Sequence, residues 1–364
     1  MLKRLYIDNY RCFVNFELRL GRRTLLLGDN GSGKSSLFDA LGALQSLLVA
    51  EDEVREAFPP DTLALFAGSS QQRFILEVEG QGGTFTYELQ VEHDPDDEDV
   101  RIAGESLVFE GRTLYRYQDA EVQLFTDEGK PGSSFSFNPR RSFLAALEPK
   151  KVNRLATWFK DFLQGILILR IDPKGIDPST RRDSPFLDHD AANFASWYRF
   201  ISDEEPAAVE AALAQLRTIL PGFRHLKKPT FGRAKLLQAE FVFPGGDPYT
   251  IDFDHLSDGQ RALIILYVVL HAAHGDASVL CFDEPDNFVA LPEIQPWLVT
   301  FCDALDEHRS QGLIISHSRE IIDFIGHEDA VRLVRPDGGH VRAESVPKPV
   351  GITLGETLAR GIHE

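Results

Sequence analysis

Cysteine is scarce in this chain of 364 residues: Cys12, Cys281 and Cys302 are odd in number, far apart and set in apolar surroundings. That excludes a disulfide framework and a thiolate zinc site, and all three read as buried thiols. Long apolar runs are lacking too. The longest, Ala262–Leu270, falls well short of the roughly 18 or more residues that a membrane-crossing helix needs. Lys3, Arg4, Asp8 and Arg11 interrupt any apolar segment that a signal peptide would require. A cytoplasmic protein with no membrane partner is expected. Positive charge is also short, with 38 Lys and Arg against 56 Asp and Glu, a net charge of −18. Self-repulsion from phosphates therefore argues against a protein that coats nucleic acid with its whole surface, though not against a local basic groove. Basic residues gather at Arg140, Arg141, Lys150, Lys151 and Arg154, and again at Arg224, Lys227, Lys228, Arg233 and Lys235. An ordinary solvated face is the plainer reading of each. There is no internal repeat, heptad run or low-complexity segment.

What is present describes a folded protein. Apolar content of 43% and charged content of 26% are ordinary for a globular chain, and the length suits about two structural units. The stretch LLLGDNGSGKSSLFDAL organises the rest. It fits G-x-x-x-x-G-K-[ST] from Gly28 to Ser35, follows the apolar run Thr24–Leu27, and opens into a helix through Leu37, Ala40 and Leu41. Gly28, Gly31 and Gly33 let the backbone turn its N–H groups inward, at the positive end of the helix, where a phosphate is the natural occupant. Lys34 would sit on the β- and γ-phosphates, and the Ser35 hydroxyl would ligate Mg²⁺.

Residues 2–20 alternate as two short strands around an Asn9 turn, with Arg11, Tyr6, Tyr10 and Phe13 as candidates for contacting nucleotide; a plain edge-strand role serves the aromatics equally well. The first helix is expected over Lys34–Ala50. Beyond an acidic connection, Arg73–Val78, Thr84–Val91, Glu105–Glu110, Arg112–Tyr117 and Glu121–Thr126 alternate with period two, the pattern of an antiparallel meander inserted after that helix. From Arg141 to about Gly165 the period turns helical, and Ile166–Ile171 is a brief strand. Helices follow over Ala191–Ile201 and Pro206–Leu220, where Pro206 suits a first turn and Pro221 forces the stop. Strands at Leu236–Phe243 and Tyr249–Phe253 lead back to the core.

Ser257 is a good N-cap for a helix to about Ala273, with Gly275 beyond its end and Gly259 keeping the first turn free of bulk. The helix end and the Ser257 hydroxyl form a second anion site. Next, the apolar strand Ser278–Phe282 ends in Asp283 and Glu284. Adjacent carboxylates there can divide labour: Asp283 holds Mg²⁺, and Glu284 orients and deprotonates an attacking water. The strand Gly312–Ile315 ends at Ser316 and His317, a histidine able to donate to a γ-phosphate. By itself His317 would read as a satisfied structural histidine; the succession of three site elements changes that. Val331–Val334 and the Gly338–Gly339 turn read as a closing hairpin.

The segments GDNGSGKS, LSDGQR, VLCFDEPDN and IISHS, with the opening IDNYRCF, resemble the ABC-type ATPases of the SMC, RecF and OLD-like group. The resemblance covers about residues 1–45 and 250–335. It implies an α/β fold: a P-loop ABC-type ATPase core with an inserted antiparallel β lobe and an α-helical lid. The expected divisions are 1–135 (first part of the core with the β lobe), 136–230 (the lid) and 231–364 (second part of the core). ATP and Mg²⁺ are the implied cofactors. Arg11, Asn30, Gly31, Ser32, Gly33, Lys34, Ser35 and Ser36 would hold the nucleotide, as would Ser257, Gly259 and Gln260 of the signature. Ser35 and Asp283 would hold the metal, and Lys34, Glu284 and His317 would be catalytic. Asp286 and Asn287 fall where the D-loop begins.

There are departures. The signature is LSDGQ where LSGGQ is commonest, and no glutamine stands out for the Q-loop, the candidates being Gln71, Gln72 and Gln164. No coiled coil separates the halves, and no acidic nuclease cluster follows His317. In such ATPases the signature helix completes the site of a second copy, so the resemblance implies an ATP-dependent homodimer. Its expected work is that of an ATP-hydrolysing switch in DNA metabolism or anti-phage defence, acting with a separately encoded effector such as a nuclease, with DNA a candidate ligand. The alternatives are the energising subunit of a membrane transporter, and an ATP-binding scaffold without turnover.

Overall fold

Alternation in residues 71–136 becomes a broad antiparallel sheet. The computed structural model describes residues 1–65, 67–94, 99–272, 278–307, 310–346 and 353–359. In chain order the elements are β1 (Leu2–Asp8), β2 (Phe16–Arg19), β3 (Arg23–Leu27), α1 (Lys34–Leu48), α2 (Val54–Ala57), β4 (Gln71–Gly80), β5 (Gly83–Asp94), β6 (Asp99–Phe109), β7 (Arg112–Gln118), β8 (Glu121–Phe125), β9 (Pro131–Ser136) and α3 (Arg154–Gln164). Then come β10 (Ile166–Leu169), β11 (Ser179–Thr180), α4 (Phe194–Glu204), α5 (Pro206–Ile219), β12 (Phe223–Lys227), β13 (Thr230–Phe231), β14 (Ala234–Leu236), β15 (Gln238–Phe241), β16 (Tyr249–Asp252) and α6 (Asp258–Ala272). The chain closes with β17 (Val279–Asp283), α7 (Leu291–Glu307), β18 (Gln311–Ile315), α8 (Arg319–Ile325), β19 (Ala330–Val334), β20 (Arg342–Ser345) and α9 (Leu354–Ala359). It divides into two units, Met1–Ile166 with Glu328–Pro347, and Leu167–His327 with Lys348–Glu364.

In the first unit eight strands follow the order β2-β1-β4-β5-β6-β7-β8-β9. The opening strands β1 and β2, which feed the strand before the P-loop, thus form one side of the β lobe itself. Three of its hairpins turn on two residues at positive φ: Gln81 and Gly82, Glu110 and Gly111, Asp119 and Ala120. Such turns match the natural twist of the strands and so fix the register, with Leu76 opposite Tyr87 and Tyr87 opposite Leu107. The inward residues Phe74, Phe85, Tyr87 and Leu107 are fully buried. Helix α3 docks on this face. A Cβ on Gly80 would lie 1.9 Å from the Trp158 ring, so only glycine leaves room for the indole, which stacks on Phe85 at 5.0 Å.

The helical period seen from Arg141 yields a helix only from Arg154. Before it, Glu105 takes over. Its buried carboxylate accepts from the hydroxyls of Tyr115 (2.8 Å) and Ser142 (2.6 Å) and from the amide of Phe143 (2.9 Å), pinning this segment to the lobe as a turn. These long-range bonds hold the segment out of the helix that apolar spacing alone would favour. The same unit holds β3 beside β19, parallel, and β19 beside β20, antiparallel, so the expected closing hairpin is present.

In the second unit β17 and β18 pair in parallel, next to β10, and all ten residues of the pair are buried. Their uninterrupted apolar runs suit strands covered on both faces. A Cβ on Gly312 would meet Phe301 at 2.3 Å, which shows how closely α7 lies on β18. Every residue of α6 from Arg261 to Leu270 is buried, so this is a core helix. The stretch 136–230, expected as a lid of helices, contributes α3 to the first unit and α4 and α5 with strands to the second. The strands expected to lead back to the core, β15 and β16, pair with β12 in a small antiparallel sheet, and the buried helix α6 follows them. Cys12 and Cys281 are buried, Cys302 is half-buried, and none of the three is in a disulfide. The expected helix end at Ala273 and Gly275 lies outside the described residues.

Candidate functional site

In the first unit, β3 delivers the chain into a loop whose backbone only glycine allows. Gly28, Gly31 and Gly33 have φ of 145°, 78° and 96°. A Cβ on Gly28 would meet the carbonyl oxygen of Leu333 at 2.3 Å, and one on Gly33 would meet the Cys12 sulfur at 2.8 Å. Helix α1 starts at Lys34 with no side chain capping it, so its first-turn amides are left for a ligand. The Lys34 ammonium folds back onto the carbonyl oxygens of Gly28 (2.7 Å) and Asp29 (3.0 Å). These are weak partners for a buried cation, and an anionic phosphate is a better one. The Ser32 hydroxyl is buried without a partner among the described residues, while Asn30 and Gly31 are exposed.

Arg11 belongs to the same neighbourhood. It has φ of 52°, its guanidinium pairs with Asp39 of α1, and it lies over the Tyr10 ring at 5.5 Å. Of the Q-loop candidates, Gln72 is fully buried and spent within the fold, donating to the carbonyls of Asn9 (3.1 Å) and Thr62 (3.2 Å). It braces the turn that carries Arg11. Gln71 and Gln164 are exposed. Gln45, which the sequence reading passed over, donates from α1 to the carbonyls of Leu163 (3.0 Å) and Ile166 (2.7 Å), tying the P-loop helix to the end of α3.

In the second unit, Ser257 and Gln260 form a reciprocal cap on α6. The Gln260 amide donates to the Ser257 hydroxyl (3.2 Å), and the Ser257 amide donates to the Gln260 side-chain oxygen (3.0 Å). Asp258, the departure from the commonest signature, pairs with Arg261 at 2.5 Å. That ion pair lies along the helix and leaves Ser257 exposed. Gly259 faces the loop after β17, where a Cβ would meet the Phe288 carbonyl oxygen at 2.6 Å.

Asp283 closes β17 and is only 6% exposed. Arg170 approaches it to 4.0 Å. Glu284 follows with φ of 51°, a conformation uncommon for a residue with a side chain and held here by its surroundings. Its amide donates to the Ile315 carbonyl at 2.8 Å, and its carboxylate accepts from the Asn287 side-chain amide at 2.6 Å. The His317 Nε2 stands 3.8 Å from the other Glu284 oxygen. Ser316, fully buried, donates to Asp286 at 2.9 Å. Burial pushes the Asp286 carboxyl above its ordinary range, and the Ser316 bond pulls the other way. The second unit thus brings Asp283, Glu284 and His317 to the ends of two paired strands. Sequence reasoning put Asn287 where a D-loop would begin but missed it as the partner of Glu284, and missed Arg170 altogether.

The donors suit the implied ligands. The Ser35 hydroxyl has no partner among the described residues, the Asp283 carboxylate is buried at a strand end, and both are hard oxygen ligands of the kind Mg²⁺ takes. The orphaned Ser32 hydroxyl and the uncapped α1 suit a phosphate.

Residues 23–323 match the family described as "AAA domain, putative AbiEii toxin, Type IV TA system". A protein of Thermus scotoductus (strain ATCC 700910 / SA-01) named OLD nuclease is 22% identical over 93% of this chain, which spans 62% of that protein's length. Among solved structures, an SMC head bound to the C-terminal winged-helix domain of ScpA matches 98% of this chain and 99% of its own, with a TM-score of 0.59 and 16% identity. An SMC head with an extended coiled coil, bound to the C-terminal domain of ScpA from Pyrococcus furiosus, matches 99% of this chain and 98% of its own, with a TM-score of 0.52 and 14% identity. At such identities the likeness is one of fold. The chain belongs to the AAA-domain family that its residues 23–323 match, and is a P-loop ATPase of the SMC, RecF and OLD-like group.

Proposed function

We propose that the protein is an ATP-hydrolysing switch that closes into a head-to-tail homodimer around two ATP molecules. Lys34 and the first-turn amides of α1, with Asn30, Gly31, Ser32, Gly33, Ser35 and Ser36, bind the triphosphate, and Arg11 flanks it. Ser35 and Asp283 hold Mg²⁺, which when bound neutralises charge on the phosphates. Glu284 takes the proton of the attacking water, and His317 donates a hydrogen bond to the γ-phosphate. Ser257, Gly259 and Gln260 act on the nucleotide of the partner copy, so that assembly reports whether a γ-phosphate is present.

The observation that carries this reading is Glu284. A carboxylate at the end of a buried strand, in a left-handed backbone conformation, bonded to Asn287 and facing His317, is costly unless it acts on something. The place of the switch is DNA metabolism or anti-phage defence, alongside a separately encoded effector such as a nuclease. The named relative supports that setting, and nuclease activity itself stays with that relative.

Phosphate release tests the reading. Turnover is expected in the unaltered protein and should be lost in Lys34→Ala and Glu284→Gln, with ATP binding lost only in the former. ATP binding without turnover in the unaltered protein would make it a scaffold.

A further inference from the structure

The first turn of α6 carries a negative charge at the very end that the proposed switch offers to a phosphate. Asp258 occupies the first helical position, next to the Ser257 cap, with its side chain 34% exposed. A carboxylate there suits the positive end of a helix, and for that reason it cancels the attraction which that end would hold for an anion. Asp258 does not stand alone. The Arg261 guanidinium, one turn on, donates to it at 2.5 Å and is only 8% exposed. Burial of this cation is unusual, because it opens a buried run that continues from Ala262 to Leu270 without another charge. Its Nε is buried with no partner, and Asp258 is its one ion-pair partner, among the described residues. A buried ion pair stabilises a fold no better than apolar residues of similar volume, so folding alone gives no reason for it.

We propose that Arg261 is a positioning residue for the signature: it neutralises Asp258 and draws the carboxylate along the helix, so that the Ser257 end of α6 accepts the γ-phosphate of the partner copy's nucleotide. The inference rests on the head-to-tail reading above, in which Ser257, Gly259 and Gln260 act across the dimer. It accounts for the departure in the signature. LSDGQ puts a carboxylate where glycine is commonest, and Arg261 offsets that charge from within the same turn. The cap keeps the turn in shape meanwhile, since Ser257 and Gln260 each accept from the other's backbone amide. Without Arg261 the carboxylate would meet a triphosphate of several negative charges as the dimer closes and water leaves, where repulsion between like charges is strong. Arg261 acts through Asp258 and touches no nucleotide. The pair therefore bears on assembly, and leaves a protomer's own hold on ATP through Lys34 and α1 unaffected.

The test starts from Glu284→Gln, expected to hold ATP without turnover, and reads the dimer Kd with ATP in a dilution series by sedimentation velocity. Adding Arg261→Met, close in volume and apolar like its neighbours, should weaken the dimer by at least about tenfold, while the affinity of a protomer for ATP, measured by calorimetry, stays within about twofold. Asp258→Asn should leave the dimer Kd within about threefold, and combined with Arg261→Met should restore it to that range; a pair that served only the fold would be harmed from either side. The loss should shrink as salt is raised from about 0.05 to 0.5 M, because screening weakens the repulsion. Melting curves check folding, and Arg261→Gln gives a second variant with the same expected loss. A dimer indifferent to Arg261→Met and Arg261→Gln, a loss that Asp258→Asn does not reverse, or an equal reversal by Asp254→Asn, an exposed carboxylate outside the helix, would overturn the proposal. A Glu284→Gln protein that stays monomeric with ATP would instead overturn the head-to-tail reading, and the role of Arg261 with it.

Discussion

Gly259 and Phe288 are in backbone contact: a Cβ added to Gly259 would stand 2.6 Å from the Phe288 carbonyl oxygen. The first turn of α6 therefore rests on the loop that follows Asp283 and Glu284. Gly259→Ala should push these segments apart at a cost of about 1–3 kcal/mol, because the obstacle is backbone and cannot rotate away. A thermal melt measures the first effect. Turnover falling further than stability would show that the contact positions the catalytic loop.

Asn287 donates to Glu284 at 2.6 Å, and under the proposed function it positions that carboxylate. Asn287→Ala frees the carboxylate to rotate without removing it. The kcat for ATP hydrolysis should fall by about tenfold or more with little change in KM, the pattern of lost orientation in place of lost binding. Equal losses in kcat and in affinity would mean that Asn287 serves the nucleotide directly.

How much of this was legible in the sequence depends on how local each feature is. The P-loop, the Ser257 cap and the strand ending in Asp283 and Glu284 declare themselves within a few residues, because turn chemistry and capping are short-range. The meander was readable from period-two alternation and its turns. Long-range bonds were not: the segment after Arg141 has helical spacing, and only Glu105, distant in the chain, makes it a turn. Helix α7 had no counterpart in the sequence reading; it carries Pro296 in its interior, and the buried Trp297 and Phe301 hold it in place. The Glu284 to Asn287 bond needs the loop's exact path, which no periodicity encodes.

Glu105 gives a pH prediction. Burial raises its pKa above the ordinary glutamate value, more than its hydrogen bonds lower it. The native state therefore holds this proton to higher pH than the unfolded chain, and the stability from this group falls as pH rises from the unfolded value through the folded one. Unfolding free energy measured by denaturant across that mildly acidic window should show a downward component with rising pH. Glu105→Gln should remove the component. It should also cost about 1–3 kcal/mol, since an amide NH₂ then faces donors it cannot accept from.

Gly28→Ala tests the loop independently of chemistry. With φ of 145° and the Leu333 carbonyl 2.3 Å from the added methyl carbon, the loop cannot keep its path. ATP affinity, measured by calorimetry, should drop by at least about tenfold while the β lobe keeps its fold by circular dichroism. Unchanged affinity would place the phosphate elsewhere.

The central claim is that two copies share two nucleotides, and light scattering of Glu284→Gln tests it most directly. With ATP the variant should double its mass, with ADP it should not, and adding Ser257→Arg should return it to the monomer. A mass that ignores ATP, or a dimer that survives Ser257→Arg unchanged, would contradict the account.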